Sequence, residues 1–260
     1  MTVPVCLAKN EKLRVFGFIS GSGKTLFEAY HLQKKMEAKG EFCPFEIVGL
    51  FVSKEASKGA EVAAELGLPV VTLDIKAFYA KRDAKITDRT VRAAFDREVL
   101  QLIEPFEIDV ILLAGYVWAT TDEMLDKYPL INVHPADLSV VKDGLRQFAG
   151  KDGVGDTLKA GSRTISSTSH MATNVIDGGP ILMISKKIEI DYTLHEDETE
   201  RFRYYLGLVN QQGRLLGART ILEIASGHFT QDADGNLSYK GHAIPAGVRV
   251  ESWEQNKLKF

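Results

Sequence analysis

Val15-Phe16-Gly17-Phe18-Ile19-Ser20-Gly21-Ser22-Gly23-Lys24-Thr25 reads as a strand, a glycine-rich turn and the first turn of a helix. The apolar run is short and continuous, as in a strand covered on both faces, and the glycines stand where the chain must turn sharply. A helix is expected from about Thr25 to Ala38, closed by Gly40. The alternation then repeats. Strands are predicted over Phe45 to Val52, Pro69 to Leu73, Asp109 to Gly115 and Leu130 to His134. Between them lie helices from about Lys58 to Leu66, from an Asp88 cap to about Ile103, and near Asp122 to Lys127. This rhythm predicts an α/β fold: a Rossmann-like doubly wound, mostly parallel sheet with helices on both faces. Asp109-Val110-Ile111-Leu112-Leu113-Ala114-Gly115 is the clearest strand, and its carboxyl end should face a ligand crevice.

The second half changes character. Residues 142–163 are rich in Gly, Lys and Asp with little periodicity, which predicts a long, mobile excursion that gates a substrate or faces a partner. Two antiparallel strands, about Thr164–Met171 and Pro180–Ile190, should extend the sheet. A helix from about Glu198 to Ser226 and a polar hairpin around Asp234-Gly235-Asn236 complete the chain.

With 260 residues, 45% hydrophobic and 26% charged, the chain can bury a core without disulfides or metals. Its 32 basic and 35 acidic side chains give a net charge of -3, so no field draws in nucleic acid. Cys6 and Cys43 are the only cysteines, which excludes a disulfide framework and a four-cysteine zinc site. Cys43, His31, His195, His228 and His242 lack partners at ligand spacing, and no metal is expected. Neither a leader pattern nor a run of about 18 apolar residues is present, so a cytoplasmic protein without membrane contact is expected.

Three features carry chemistry. Ser20 to Thr25 ends like a nucleotide-triphosphate loop, but that motif needs glycine at the position of Phe18, and Gly17 stands one place too early. The turn can still cradle a single phosphate on Gly21, Ser22, Gly23, Lys24 and Thr25, or serve only as a turn. Asn132 and His134 lie two apart on a strand, so both project from one face at its carboxyl end. An amide can hold an oxyanion and an imidazole can move protons; the bland alternative is a packed histidine. Asp177, before Gly178 and Gly179, can reach over the sheet end to orient an imidazole or can be a plain turn residue.

Taken in order, Ile19-Ser20-Gly21-Ser22-Gly23, Leu113-Ala114-Gly115-Tyr116, Ile131-Asn132-Val133-His134-Pro135 and Ile176-Asp177-Gly178-Gly179-Pro180-Ile181 resemble the folate-dependent formyltransferases. The similarity runs from about Arg14 to Arg249. It implies a single domain over residues 1–260, with about 14–128 binding a nucleotide phosphate and about 129–250 holding the catalytic and folate-binding half. It implies Asn132, His134 and Asp177 as the catalytic trio, and Arg92, Tyr116, Val117, Trp118, Ala119 and Thr120 around the folate. The implied reaction moves a formyl group from 10-formyltetrahydrofolate to the primary amine of a phosphorylated substrate, glycinamide ribonucleotide being the implied acceptor. Formyltetrahydrofolate hydrolysis, transfer to another amine, and folate or nucleotide binding without turnover stay open, as does a homodimer. The chain departs from the family pattern at Val117-Trp118-Ala119-Thr120, at Pro135-Ala136-Asp137-Leu138-Ser139, and at Gln212, which aligns with an acidic residue. His170 matches a family histidine, and a structural role is expected for it.

Overall fold

The structure, a computed structural model, describes residues 2–54, 57–195 and 197–251. Its centre is an eight-stranded sheet. In chain order the strands are β1 (Leu13–Ile19), β2 (Phe45–Val52), β3 (Val70–Thr72), β4 (Val110–Leu113), β5 (Leu130–His134), β6 (Thr168–Met171), β7 (Ile181–Ile184) and β8 (Val248–Arg249). Across the sheet they run β8-β7-β6-β5-β4-β1-β2-β3. The five strands β1 to β5 are mutually parallel, β6 is antiparallel to β5 and β7, and β8 lies parallel to β7. The order reverses between β1 and β4, which opens a crevice at their carboxyl ends.

Side-chain alternation builds a core on each face. Val15, Ile19, Val110, Leu112 and Ile131 face one layer, where α1 (Lys24–Ala38) and the long α7 (Glu198–Ala225) pack. Phe16, Phe18, Ile111, Leu113 and Leu130 face the other, covered by α3 (Ile75–Ala80) and α4 (Arg89–Ile103). α2 (Lys58–Glu65) follows β2, and the single turn α5 (Asp122–Leu125) follows β4. Close approach decides two glycines. A Cβ on Gly217 would lie 2.3 Å from Thr25 Cγ2, so α7 crosses directly over the first turn of α1. At Gly153 a Cβ would lie 2.6 Å from His134 Nε2, which brings α6 (Gly153–Lys159) onto the candidate catalytic histidine.

Several expectations need correction. Helix α3 was not anticipated, and neither was the pairing of Val3–Pro4 with Phe229–Gln231. The stretch 164–171 is not one strand, because it bends at Ser166 and Ser167, where the Ser185 hydroxyl accepts the Ser167 N–H at 2.8 Å in place of a ladder carbonyl. The stretch 180–190 is likewise split, into β7 and Ile188–Glu189, which pairs with Thr164–Ile165. The largest correction concerns 142–163. It forms a hairpin, Val141–Lys142 with Leu145–Arg146, followed by α6. Phe148 is buried, and Val154 packs with Ile165, Tyr205 and Val209. Phe148, Val154 and the partly buried Leu158 are too few apolar anchors in a glycine-rich segment to register as periodicity, yet they suffice to dock it. Amide exchange across 155–159 is therefore expected to be slow in the free protein, and exchange at the rate of an unstructured peptide would contradict the packing.

Candidate active site

The Asn132–His134 pair sits on the last turns of β5, alternating with Ile131 and Val133, which point to the α7 side. Antiparallel pairing sets His170 of β6 directly opposite Asn132. The loop after β6 then folds back until Asp177 reaches the same spot. Four side chains therefore meet: Asn132, His134, His170 and Asp177.

Asp177 joins them. Its Oδ2 lies 3.3 Å from His134 Nδ1 and accepts the Gly150 N–H at 2.8 Å. Its Oδ1 lies 3.3 Å from His170 Nε2 and 3.4 Å from Asn132 Nδ2. Asn132 Nδ2 also approaches His170 Nε2 at 3.1 Å, and His170 Nδ1 donates to the Met171 carbonyl at 2.9 Å. His134 Nε2 donates to the Phe148 carbonyl at 2.7 Å. That carbonyl assigns a proton to Nε2, so Nδ1 is the nitrogen that can gain or lose one, facing the carboxylate.

Burial governs the electrostatics. Only 4% of His134 and 9% of Asp177 is exposed. Burial pushes the His134 imidazole below its ordinary value, against the raising influence of Asp177 and the Phe148 carbonyl, with the positive fields of His170 and Arg146 adding to the fall. Burial pushes the Asp177 carboxyl up, but the His170 contact, His134 and the Gly150 N–H outweigh it and hold it below the usual carboxylate value. At neutral pH the pair is thus a carboxylate beside a neutral imidazole, ready to accept one proton on Nδ1. Asn132 is half-buried, and its 3.4 Å contact with Asp177 is at the limit of hydrogen bonding, so that N–H can turn to a substrate oxygen.

The glycine turn lies across the crevice from this cluster. Gly23 is the N-cap of α1 with φ 62, and no side chain caps that helix. Leu26 N–H already donates to the Gly23 carbonyl at 2.9 Å, which leaves the amides of Gly23, Lys24 and Thr25 without helical acceptors at the positive end of the dipole. Gly21 is exposed, and Lys24 extends into solvent. β1 and β5 are separated only by β4, so turn and cluster stand two strand spacings, about 10 Å, apart.

The residues after β4 divide. Val117 is exposed, and Thr120 lines a cleft of about 700 Å³ that Asn174 and Val175 bound on the other side. Its lining is mainly polar and charged, with Arg89, Thr121, Asp122, Glu123 and Asp126 beside the apolar Ala93 and Val175, while Val117 and Ile176 are exposed on the two loops that border it. Ala119 is exposed on the same loop. Tyr116 belongs to the second core, its phenol pushed up to about 12 by burial. Trp118 packs on that core and donates its Nε1–H to Ser53 at 3.2 Å, toward β2 and away from the trio. Arg92 corrects an expectation. It is buried, bonded at 2.9 Å both to Asp96 and to the Tyr116 hydroxyl, and cannot reach out to a ligand carboxylate. Its work is internal, since Asp96 also accepts the Thr121 N–H and hydroxyl at 2.9 Å and so fixes the far end of the 116–121 loop.

Sequence reasoning missed Phe148, Gly150 and Arg146, whose contacts depend on long-range docking and leave no local signal. Arg146 donates to the carbonyls of Asp177 and Gly179. On α7, Gln212 Oε1 is buried with no partner among the described residues. Within those residues no group of three or more His, Cys, Asp or Glu could hold a metal, and no helix is long and apolar enough to cross a membrane.

Comparisons with known proteins agree with this architecture. A family model described as formyl transferase matches residues 13–204. A phosphoribosylglycinamide formyltransferase of Bacillus subtilis (strain 168) is 30% identical over 176 residues, covering 67% of this chain and 78% of that protein. A formyltetrahydrofolate deformylase of the same organism is 30% identical over 145 residues, but the match spans 55% of this chain and 42% of the deformylase. Among solved structures, a phosphoribosylglycinamide formyltransferase of Coxiella burnetii superposes with a TM-score of 0.72 over 92% of this chain and 99% of that one, at 18% identity. The corresponding protein of Bacillus halodurans gives 0.62 over 82% and 95%, at 26% identity.

Proposed function

Because the chain belongs to the formyl transferase family, we propose that it transfers a formyl group from 10-formyltetrahydrofolate to the primary amine of a phosphorylated acceptor, glycinamide ribonucleotide. The observation that carries this reading is the convergence of Asn132, His134 and Asp177 at the carboxyl end of β5, about two strand spacings from the glycine-rich turn that opens α1. A ribose phosphate with a short amide arm ending in an amine spans that distance.

In this reading the acceptor's phosphate rests on the amides of Gly21 to Thr25, and Lys24 adds a charge. The folate lies against the 117–120 and 174–176 loops, where the exposed Val117, Val175 and Ile176 offer apolar contact to a ring system and the cleft between the loops offers polar partners. Its role is to present the formyl carbon. The acceptor amine attacks that carbon, and Asn132 donates an N–H to the oxygen as it gains charge. The proton shed by the amine enters the Asp177–His134 pair and comes to rest on His134 Nδ1, where the adjacent carboxylate stabilises the imidazolium. The pair then returns the proton to the nitrogen that leaves. Burial keeps His134 neutral before each turnover, which is the state a base needs.

An assay of pure protein with 10-formyltetrahydrofolate and a panel of amines tests the proposal. Formyl transfer to glycinamide ribonucleotide is expected; formate release that needs no amine would instead identify a deformylase, the second activity found among its relatives. The turn has its own test. No atom lies within 4 Å of where a Cβ on Gly21 would stand, so Gly21→Val should fold normally while projecting into the phosphate position. The acceptor's KM should rise about tenfold or more with the folate's KM little changed, because a lost anion contact weakens ground-state binding. Equal increases for both substrates would move the phosphate elsewhere.

A further inference from the structure

We propose that Arg146 is a positioning residue of the reaction: a two-pronged clamp that holds the Asp177 turn in the one conformation from which its carboxylate meets His134. Only the kinetic part of the proposal rests on the formyl-transfer reading.

Asp177 has φ 51, in the left-handed region that a residue with a Cβ avoids. Gly178 and Gly179 follow it, and glycines leave a loop many alternatives. Something must select this one. The guanidinium of Arg146 donates one N–H to the Asp177 carbonyl and another to the Gly179 carbonyl, the latter at 2.8 Å, and so bridges the turn across Gly178. A planar fork can join two carbonyls at once, whereas an ammonium is a point charge. The same segment continues onto the dyad, with the Phe148 carbonyl on His134 Nε2 and the Gly150 N–H on Asp177 Oδ2. Residues 146–150 thus touch the dyad or its turn at four points.

Charge and position can be separated. The charged or titratable groups around the dyad are His134, His170, Asp177 and Arg146 itself. Arg146 repels a proton from His134, whereas Asp177 attracts one. Were Arg146 only a nearby charge, Arg146→Lys would leave His134 unmoved. If it is a clamp, the same variant keeps the charge, loosens the Asp177 turn and lowers the pH at which His134 titrates.

The experiment compares wild type, Arg146→Ala, Arg146→Lys, Asp177→Asn and Arg146→Lys/Asp177→Asn in the full chain. The His134 imidazole is followed by NMR across pH, and kcat and both KM values are measured alongside. Expected are a His134 midpoint that falls in Arg146→Lys, no further fall when the change is added to Asp177→Asn, and kcat down about tenfold or more with KM values within about threefold. Millimolar guanidinium should restore part of the Arg146→Ala activity where equal sodium chloride does not. If Arg146→Ala fails to fold, Arg146→Lys carries the test alone. An unmoved midpoint with unchanged kcat in Arg146→Lys overturns the clamp. If wild type transfers no formyl group the functional reading fails, and the titration still decides the clamp.

Discussion

Replacing His134 with alanine is expected to lower kcat by roughly 10³-fold, the scale of lost proton transfer, with KM values changed little. Asn132→Ala should cost roughly 10²-fold, because a donor to the oxyanion acts mainly in the transition state. Asp177→Asn tests how the two are linked. The carboxylate raises the affinity of His134 for a proton, so its removal lets burial dominate and moves the histidine's titration to lower pH. Since turnover needs neutral imidazole, the acid limb of kcat should shift downward while the plateau falls. The double change of His134 and Asp177 should cost far less than the product of the singles, as expected for a pair that holds one proton between them. A pH profile identical to wild type in Asp177→Asn would return the aspartate to the status of a turn residue.

What could be read in advance follows from the range of the forces involved. β1, the glycine turn, α1, β4 and β5 are visible because strand and helix periodicity are local, and the alternation that buries Ile131 and Val133 necessarily aims Asn132 and His134 to the other side. Asp177 is legible from the residues only as one of two readings, a carboxylate reaching over the sheet end or a plain turn residue, and the ordered set of motifs favours the first. His170 was noticed but given only a structural role, since its place in the cluster depends on the register of β6 against β5, which pairs it with Asn132. Trp118 and Arg92, which the resemblance sets around the folate, turn inward, Trp118 onto the second core and Arg92 onto Asp96 and Tyr116. The indole bond to Ser53 joins the loop after β4 to the end of β2, beyond the reach of spacing; the Arg92–Asp96 pair is an i,i+4 contact on α4, and what spacing does not show is its burial against Tyr116. The 142–163 segment fails for a related reason, because one of its glycines, Gly153, marks tight packing on His134 where composition suggests freedom.

Gly179→Ala is the backbone change expected to do most damage. A Cβ there would lie 1.9 Å from the Met171 carbonyl oxygen and 2.9 Å from its carbon, and backbone atoms of a central strand cannot step aside as a side chain would. The contact exists because the loop closes at once, with the Met171 N–H donating to the Pro180 carbonyl at 3.0 Å. Relief therefore requires β7 or the whole 172–180 loop to move off β6. The loss of stability should reach about 3 kcal/mol, at the upper end for overpacking. The same displacement carries away the Gly179 carbonyl held by Arg146 and the Asp177 carboxylate two residues earlier. Activity should therefore fall by roughly 10²-fold even at temperatures where the variant is still folded, since displacing a catalytic group by about 1 Å can cost that much. Gly178→Ala is the milder comparison: its Cβ would meet Val175 Cγ1 at 2.6 Å, Cβ at 2.8 Å and the carbonyl oxygen at 3.3 Å, so rotation relieves only the first and the rest takes a shift of the exposed Val175 loop, which costs less than displacing β6. A Gly179→Ala protein with the melting temperature and kcat of Gly178→Ala would mean that the loop does not close on β6 as described, and that Asp177 reaches His134 by another route.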